Sequence, residues 1–341
     1  MGENTKFVIN WILEIGDPWA RYNILTCFLG LPESSREVEE EKYAMFKDYR
    51  IRALLRLVGA IDWSDPPWTY LRDASMPVHV LGVLADFGFK AYEDRRLWKT
   101  CLKILEQKSE SGELKFKPYI VQPLTCLSST ILYPVVKMGF KRDERVLDAV
   151  NSYLHSTLFD KGWKCTLEPF KGYLFDPEVT GKNPKLKKRE SFLKSVARRG
   201  LTCPLATLNV LRVLVEYPEL LEHPRVVEAA EGLLEHWRTR SRPYGFGIGS
   251  KFMKLKYPFV WYDILKYAYV LSRIPYARER REFREVLGVI WSKRLDDYTY
   301  RPESIYRFWR GFDFGVRKPS PWITLLVYKI FKNAGFLHEK P

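Results

Sequence analysis

The sequence predicts an all-α protein in which six helical hairpins close into a ring. Three observations predict it. The chain has 341 residues, 46% hydrophobic and 28% charged, a globular rather than a disordered composition. Six prolines (Pro18, Pro77, Pro123, Pro204, Pro258 and Pro321) each open an apolar stretch with helical spacing. A second, more amphipathic helical stretch follows each of the first five.

The proline-led stretches share a register. Four residues on stand Tyr22, Leu81, Leu127, Leu208, Tyr262 and Leu325, and seven on stand Leu25, Leu84, Thr130, Leu211, Leu265 and Tyr328. Proline fits the first helical turn, where its missing N–H loses no partner. Ser75, Thr202 and Ser320 stand where caps belong, and Gly30, Gly88, Gly139 and Gly335 stand where a glycine would end the helix. The amphipathic partners fall at 36–58, 93–108, 143–157, 223–238 and 278–293. The stretch 5–15 is a helix without a predecessor, and 321–334 is one without a successor. Pairing these two completes six hairpins: an alpha-alpha toroid of six inner, proline-led helices and six outer ones, occupying 1–341 as one domain. An open helical solenoid is the competing architecture.

Several classes are excluded by pattern. No apolar run approaches the roughly 20 residues of a membrane span. The start of the chain carries Glu3, Lys6 and Glu14, unlike a secretory leader. Cys27, Cys101, Cys126, Cys165 and Cys203 form no CxxC, so neither a disulfide framework nor a zinc site is expected, and a cytoplasmic setting is. Dinucleotide, phosphate-loop, zincin and nucleophile-elbow motifs do not occur, and no cofactor or metal is expected.

The stretches DPWARYNILTCFLGLP (17–32), DKGWKC (160–165), YPFVWYDIL (257–265) and PSPWITLLV (319–327) resemble the terpenoid cyclase and protein prenyltransferase alpha-alpha toroid superfamily, near its prenyltransferase-repeat, squalene-cyclase-like members. The resemblance spans nearly the whole chain and implies a toroid with an isoprenoid-type ligand. Its reaction motifs do not carry over. The nearest string to the acidic DxDD of class II cyclases is Arg294-Leu295-Asp296-Asp297, with Arg at the first position. Asp296-Asp297 is followed by Tyr298-Thr299-Tyr300, so DDxxD is missing as well, and the prenyltransferase zinc ligands have no counterpart. Whether the chain is an enzyme of lyase, cyclase or transferase type is left open.

Charge points to a ligand. The chain carries a net +15, and three segments together carry +16: 182–199 with +7, 238–256 with +6 and 300–320 with +3. Each precedes a proline-led helix. If the hairpins run the same way, these segments form a basic rim where the inner helices begin, and helix N-termini favour anions there. The ligand-binding candidates are Arg199, Lys251, Lys254, Lys256, Trp261, Arg21, Arg310 and Trp322. The catalytic candidates are Asp263, His79 and Tyr262. Asp263, five residues after Pro258 among aromatics, is the expected acid, since a carboxyl there is costly unless paired or used. The same position elsewhere holds Asn23, Gly82, Ser128, Asn209 and Leu326, small or polar residues that would leave room inside the ring.

The leading functional reading is a toroid pocket protein or enzyme holding an anionic, partly apolar small molecule such as an isoprenoid diphosphate. One alternative is a binder of single-stranded nucleic acid or another polyanion, through phosphate contacts and stacking. Another is an enzyme acting on acidic polysaccharide. Peripheral membrane contact is compatible with all three, and the sequence says nothing of oligomeric state.

Overall fold

A computed structural model describes residues 2–66, 73–115, 117, 119–121, 123–156, 161–164, 173–198, 202–240 and 248–337, with the backbone alone at 192, 193 and 195–198. Among the described residues, the secondary structure is helical apart from two isolated bridges, Lys108 with Leu114 and Ile120 with Phe175. No helix among them is long and apolar enough to cross a membrane, and no group of three or more His, Cys, Asp or Glu could hold a metal.

The inner helices are α2 (Pro18–Cys27), α5 (Pro77–Phe87), α7 (Thr125–Val135), α11 (Pro204–Leu214), α13 (Ile264–Leu271) and α16 (Pro321–Ala334). Each packs on the next in chain order, and α16 packs back on α2, so the circuit closes. Around them lie α1 (Glu3–Ile15), the pair α3 (Arg36–Lys47) and α4 (Tyr49–Gly59), α6 (Arg95–Leu105), α8 (Glu144–Leu154), α12 (Pro224–Thr239) and α15 (Arg281–Trp291). The first of these, α1, rests on both α2 and α16, and the Thr5 hydroxyl donates to the Leu337 carbonyl at 2.9 Å. The expected pairing of first and last helices is therefore the seam of the ring, and the open solenoid is ruled out. Three further helices, α9 (Pro177–Lys182), α10 (Pro184–Arg198) and α14 (Pro275–Arg278), stand outside the six-hairpin count.

Local chemistry explains the boundaries. Proline opens α2, α5, α11 and α16. Ser320 Oγ caps α16 by accepting from the Ile323 amide, whereas Cys203 Sγ, not Thr202, caps α11, and Met76, not Ser75, precedes α5. Gly88 and Gly335 end their helices with φ of 106° and 81°, a region that favours glycine.

Two proline-led starts differ from expectation. The helix after Pro123 begins at Thr125, and the one after Pro258 begins at Ile264. In the second case Asp263 is the N-cap, its Oδ1 accepting from the Lys266 amide at 2.9 Å, so Asp263 ends a loop rather than lying within a helix. The outer stretch 36–58 is divided because Asp48 takes an extended conformation and caps α4.

Three outer helices start alike. Asp48, Asp94 and Asp143 each accept from the backbone amide two residues on, at 2.8, 2.8 and 3.0 Å, and each pairs with the side chain of that same residue: Arg50, Arg96 and Arg145. An Asp-x-Arg start is thus a second repeat signature in the chain.

Candidate functional site

The inner helices bury most faces, yet isolated polar residues on them turn inward. At the mouth where these helices end, they enclose a cavity of about 480 Å³. Tyr22, Asn23, Thr26 and Cys27 line it from α2, and Ala85 and Asp86 line it from α5. Lys90 follows α5, Lys137 follows α7, and Tyr269 and Arg273 come from α13 and the turn after it. Lys329, Lys332 and Asn333 come from α16.

Five of these residues are cations. Lys329 Nζ donates to Asn23 Oδ1 at 2.6 Å, Lys90 Nζ to the Lys137 carbonyl at 3.3 Å, and Lys332 Nζ to the Cys27 carbonyl. The last two contacts place ammonium groups on helix-end carbonyls, where the helix dipole welcomes positive charge. Arg273 binds Glu216, and Lys137 lies 3.4 Å from the same carboxylate. Burial would lower the pKa of Lys137, but Glu216, with Tyr269 and Asp86, outweighs it and holds the value above the ordinary lysine range. Lys90 goes the other way: burial, then the charge of Lys137, pulls it below the ordinary range.

The floor is an ion pair. Arg212 Nη2 donates to both Asp86 oxygens, at 2.7 and 3.0 Å, while Tyr133 and Tyr257 donate to the same carboxylate at 2.6 and 2.8 Å. The Arg212 guanidinium stacks 3.6 Å from the Tyr133 ring centre. Four donated hydrogen bonds on one carboxylate compensate its burial and fix the geometry of the floor. Counting this layer, six cations (Lys90, Lys137, Arg212, Arg273, Lys329 and Lys332) face three acids (Glu33, Asp86 and Glu216). Below the floor the lumen narrows to a void of about 10 Å³ beside His79, Thr130 and Phe259.

The opposite mouth, where the basic rim was expected, is stoppered by aromatics. Segment 300–320 forms two short turns, Arg307–Trp309 and Asp313–Gly315. Trp309 Nε1 donates to the Ala74 carbonyl at 2.9 Å, and Asp313 Oδ2 accepts from Ser320 Oγ and the Trp322 amide. Trp19 stacks on Phe87 at 4.7 Å, Phe312 on Phe314 at 5.3 Å, and Tyr257 meets Phe314 edge-on at 4.9 Å. These rings fill the space with one another.

The sequence candidates accordingly separate. Asp263 is wholly buried as a helix cap, with Oδ2 unpartnered; burial pushes its pKa up, while Lys256 opposes. Lys256 is buried close by, whereas Lys251 and Lys254 are exposed. Tyr262 hydrogen-bonds His236 Nδ1 at 2.8 Å and packs on Phe252. His79 is buried under the cavity floor, beside the small void. Trp322, expected on a ligand surface, is fully buried against Phe87. Arg21 is engaged by Glu41 at 2.7 Å and by the Gly16 carbonyl, between α2 and α3. Arg310 is exposed and Trp261 half-buried. Arg199 lies outside the described residues. The segment 182–199, expected on the basic rim, is helical over Pro184–Arg198.

Asn23 was expected inside the ring, but the cations of the cavity and its floor escaped the sequence reading, although a signal existed. Arg212 is the single charge in 204–215, and Lys329 directly follows the uncharged run 321–328. A lone charge in an otherwise apolar helix needs a polar partner, and here the ring interior supplies it.

No protein-family model matches the chain, and no curated protein matches it. Among solved structures, the type II terpene cyclase MstE from Scytonema without ligand is 14% identical and covers 98% of this chain and 98% of its own, with a TM-score of 0.45. Variants of that cyclase in complex with geranylgeranyl dihydroxybenzoate, its substrate, and with merosterolic acid A, its product, are 12% and 14% identical. Each covers 98% of this chain and 97% of its own, with a TM-score of 0.43. The chain is similar to these cyclases along nearly its whole length, and its closed ring stands on its own helix contacts.

Proposed function

We propose that the protein binds an anionic small molecule in the cavity at the mouth where its inner helices end. The observation that carries this is the convergence of Lys90, Lys137, Arg273, Lys329 and Lys332 from four inner-helix ends on one void of about 480 Å³. Cations that merely solvate a surface spread out; these come from separate helices to one void. A concave, bounded site suits a compact molecule better than a polymer running across the surface. The rim moves from the helix starts, where the sequence reading put it, to the helix ends.

The polar floor limits how far an apolar tail can descend. The head of the ligand, a phosphate, diphosphate or carboxylate cluster, is therefore the recognised part. An isoprenoid tail, the example implied by the sequence resemblance, would rest on Tyr22 and Tyr269 and extend outward. Titration calorimetry with inorganic pyrophosphate, geranyl diphosphate and geraniol tests this. Both diphosphates are expected to bind and the neutral alcohol not to. Each of Lys329→Gln and Arg273→Gln should cost about 10- to 100-fold in affinity, the range for one charge-assisted contact. Wild-type affinity in the double variant, or equal binding of geraniol, would overturn the reading.

A further inference from the structure

The proposed anion site also contains a nucleophile. Cys27, the last residue of α2, lines the cavity and is exposed, while Cys101, Cys126 and Cys203 are buried. Its surroundings are cationic on two sides. Lys329 holds Asn23 one turn earlier on the same helix, and Lys332 holds the carbonyl of Cys27 itself. The thiol donates to Asn23 Oδ1 at 3.9 Å, and the Thr26 hydroxyl, which donates to the Tyr22 carbonyl at 2.8 Å, lies 3.8 Å from the sulfur. Arg273 and Lys137 face the same void from other elements. Partial desolvation within the cavity would raise the thiol pKa, but Lys329, the Thr26 hydroxyl and Lys137 together outweigh it, and the value falls below that of an ordinary cysteine.

We propose that Cys27 is a modification site selective for anionic disulfides. This rests on the reading of the cavity as an anion site and adds its regulation. A carboxylate-bearing disulfide is drawn in by the cations, and the Cys27 thiolate attacks one of its sulfurs. The disulfide's own S–S bond breaks as a new one forms to Cys27. The other half departs as a thiolate and takes a proton from solvent, replacing the proton that Cys27 released before attack. The reagent is the oxidant, so nothing else is consumed. The retained half keeps its carboxylates among Lys329, Lys332 and Arg273 and fills the void, so the modified protein loses its anionic ligand.

The test compares two alkylating agents of nearly equal size, iodoacetate with a charge and iodoacetamide without. Labelling of the full chain is followed at the Cys27 peptide by mass spectrometry. The iodoacetate-to-iodoacetamide rate ratio at Cys27 is expected to exceed that of a free cysteine peptide by about tenfold or more. It should fall back toward the peptide value in Lys329→Gln and, independently of any variant, in 1 M salt. Glutathione disulfide should add one glutathionyl group at Cys27 and abolish pyrophosphate binding. A peptide-like ratio, or no glutathionyl group at Cys27, overturns the proposal. Pyrophosphate titration of the unmodified protein separates the two claims. Absent binding with a raised ratio removes the ligand reading and leaves the reactive thiol; binding with a peptide-like ratio does the reverse.

Discussion

Glu113 sits with zero exposure just after α6, and neither carboxylate oxygen has a hydrogen-bond partner. Burial pushes its pKa up to about 8, with Ser128 opposing weakly. The folded state therefore holds a proton that the unfolded chain releases near the ordinary glutamate value. The stability this contributes is complete below about 4.5 and is lost as pH rises through about 8. Glu113→Gln removes the titration. Urea denaturation from pH 5 to pH 9 should show wild type losing about 4 kcal/mol more than the variant over that interval. Parallel curves would mean that Glu113 titrates as it does in the unfolded chain. Asp263, the acid singled out in the sequence, shares this predicament, being buried with one unpartnered oxygen, but it caps a helix and has lysines at hand. Burial and aromatic neighbours distinguish a costly acid in either case; only the surrounding cavity distinguishes a functional one.

At the scale of elements, the repeat was legible because each helix carries its own start signal. Prolines at the first turn marked four of the six inner helices, and 321–334 was read with its final boundaries because Pro321 and Gly335 frame it chemically. Pro258 misled because a nearby Asp competes for the start, and the helix begins where a side-chain oxygen can accept its first free amide. The Asp-x-Arg signature lay in plain view at 48–50, 94–96 and 143–145 but went unread. Its residues look like ordinary surface charge until the Arg is seen folding back on the capping carboxylate. If that motif starts the helices, Asp94→Ala and Asp143→Ala should each lower unfolding free energy by about 1 kcal/mol, the usual worth of an N-cap. Arg96→Ala and Arg145→Ala should cost less, since their side chains are partly exposed and each amide keeps its cap. Equal costs from both partners would place the stability in the ion pair instead. The cavity was harder to read than the helices. Its cations come from different repeats, and only ring closure brings Lys90, Arg273 and Lys329 together.

The net +15 takes on a different meaning once the ring is closed. The three basic segments that carry all of it contribute no described residue to the cavity; one is mostly helix α10, and another supplies the aromatic stopper. The cavity instead uses single charges from helices that are otherwise nearly neutral, so the sequence location of charge and its spatial concentration are separate facts. The concentration depends on ring closure, where α1 packs on α16 and α16 on α2. A closed ring makes a prediction that an open solenoid does not. Because Thr5 reaches Leu337 at 2.9 Å, the two ends of the chain can be joined by a short Gly/Ser linker from Pro341 to Gly2 without pulling a helix out of place. New ends can then be opened at Ser64, in the exposed turn between α4 and α5. The permuted protein should unfold in one cooperative transition, with a Tm within a few degrees of wild type. It should also bind pyrophosphate like the parent, since Lys329 and Asn23 still meet across the interface of α16 and α2. An open array of hairpins would have its ends far apart; the same linker would tear the terminal helices away, and the transition would broaden or split. Circular dichroism on heating, with calorimetric titration of the folded permutant, decides between the two.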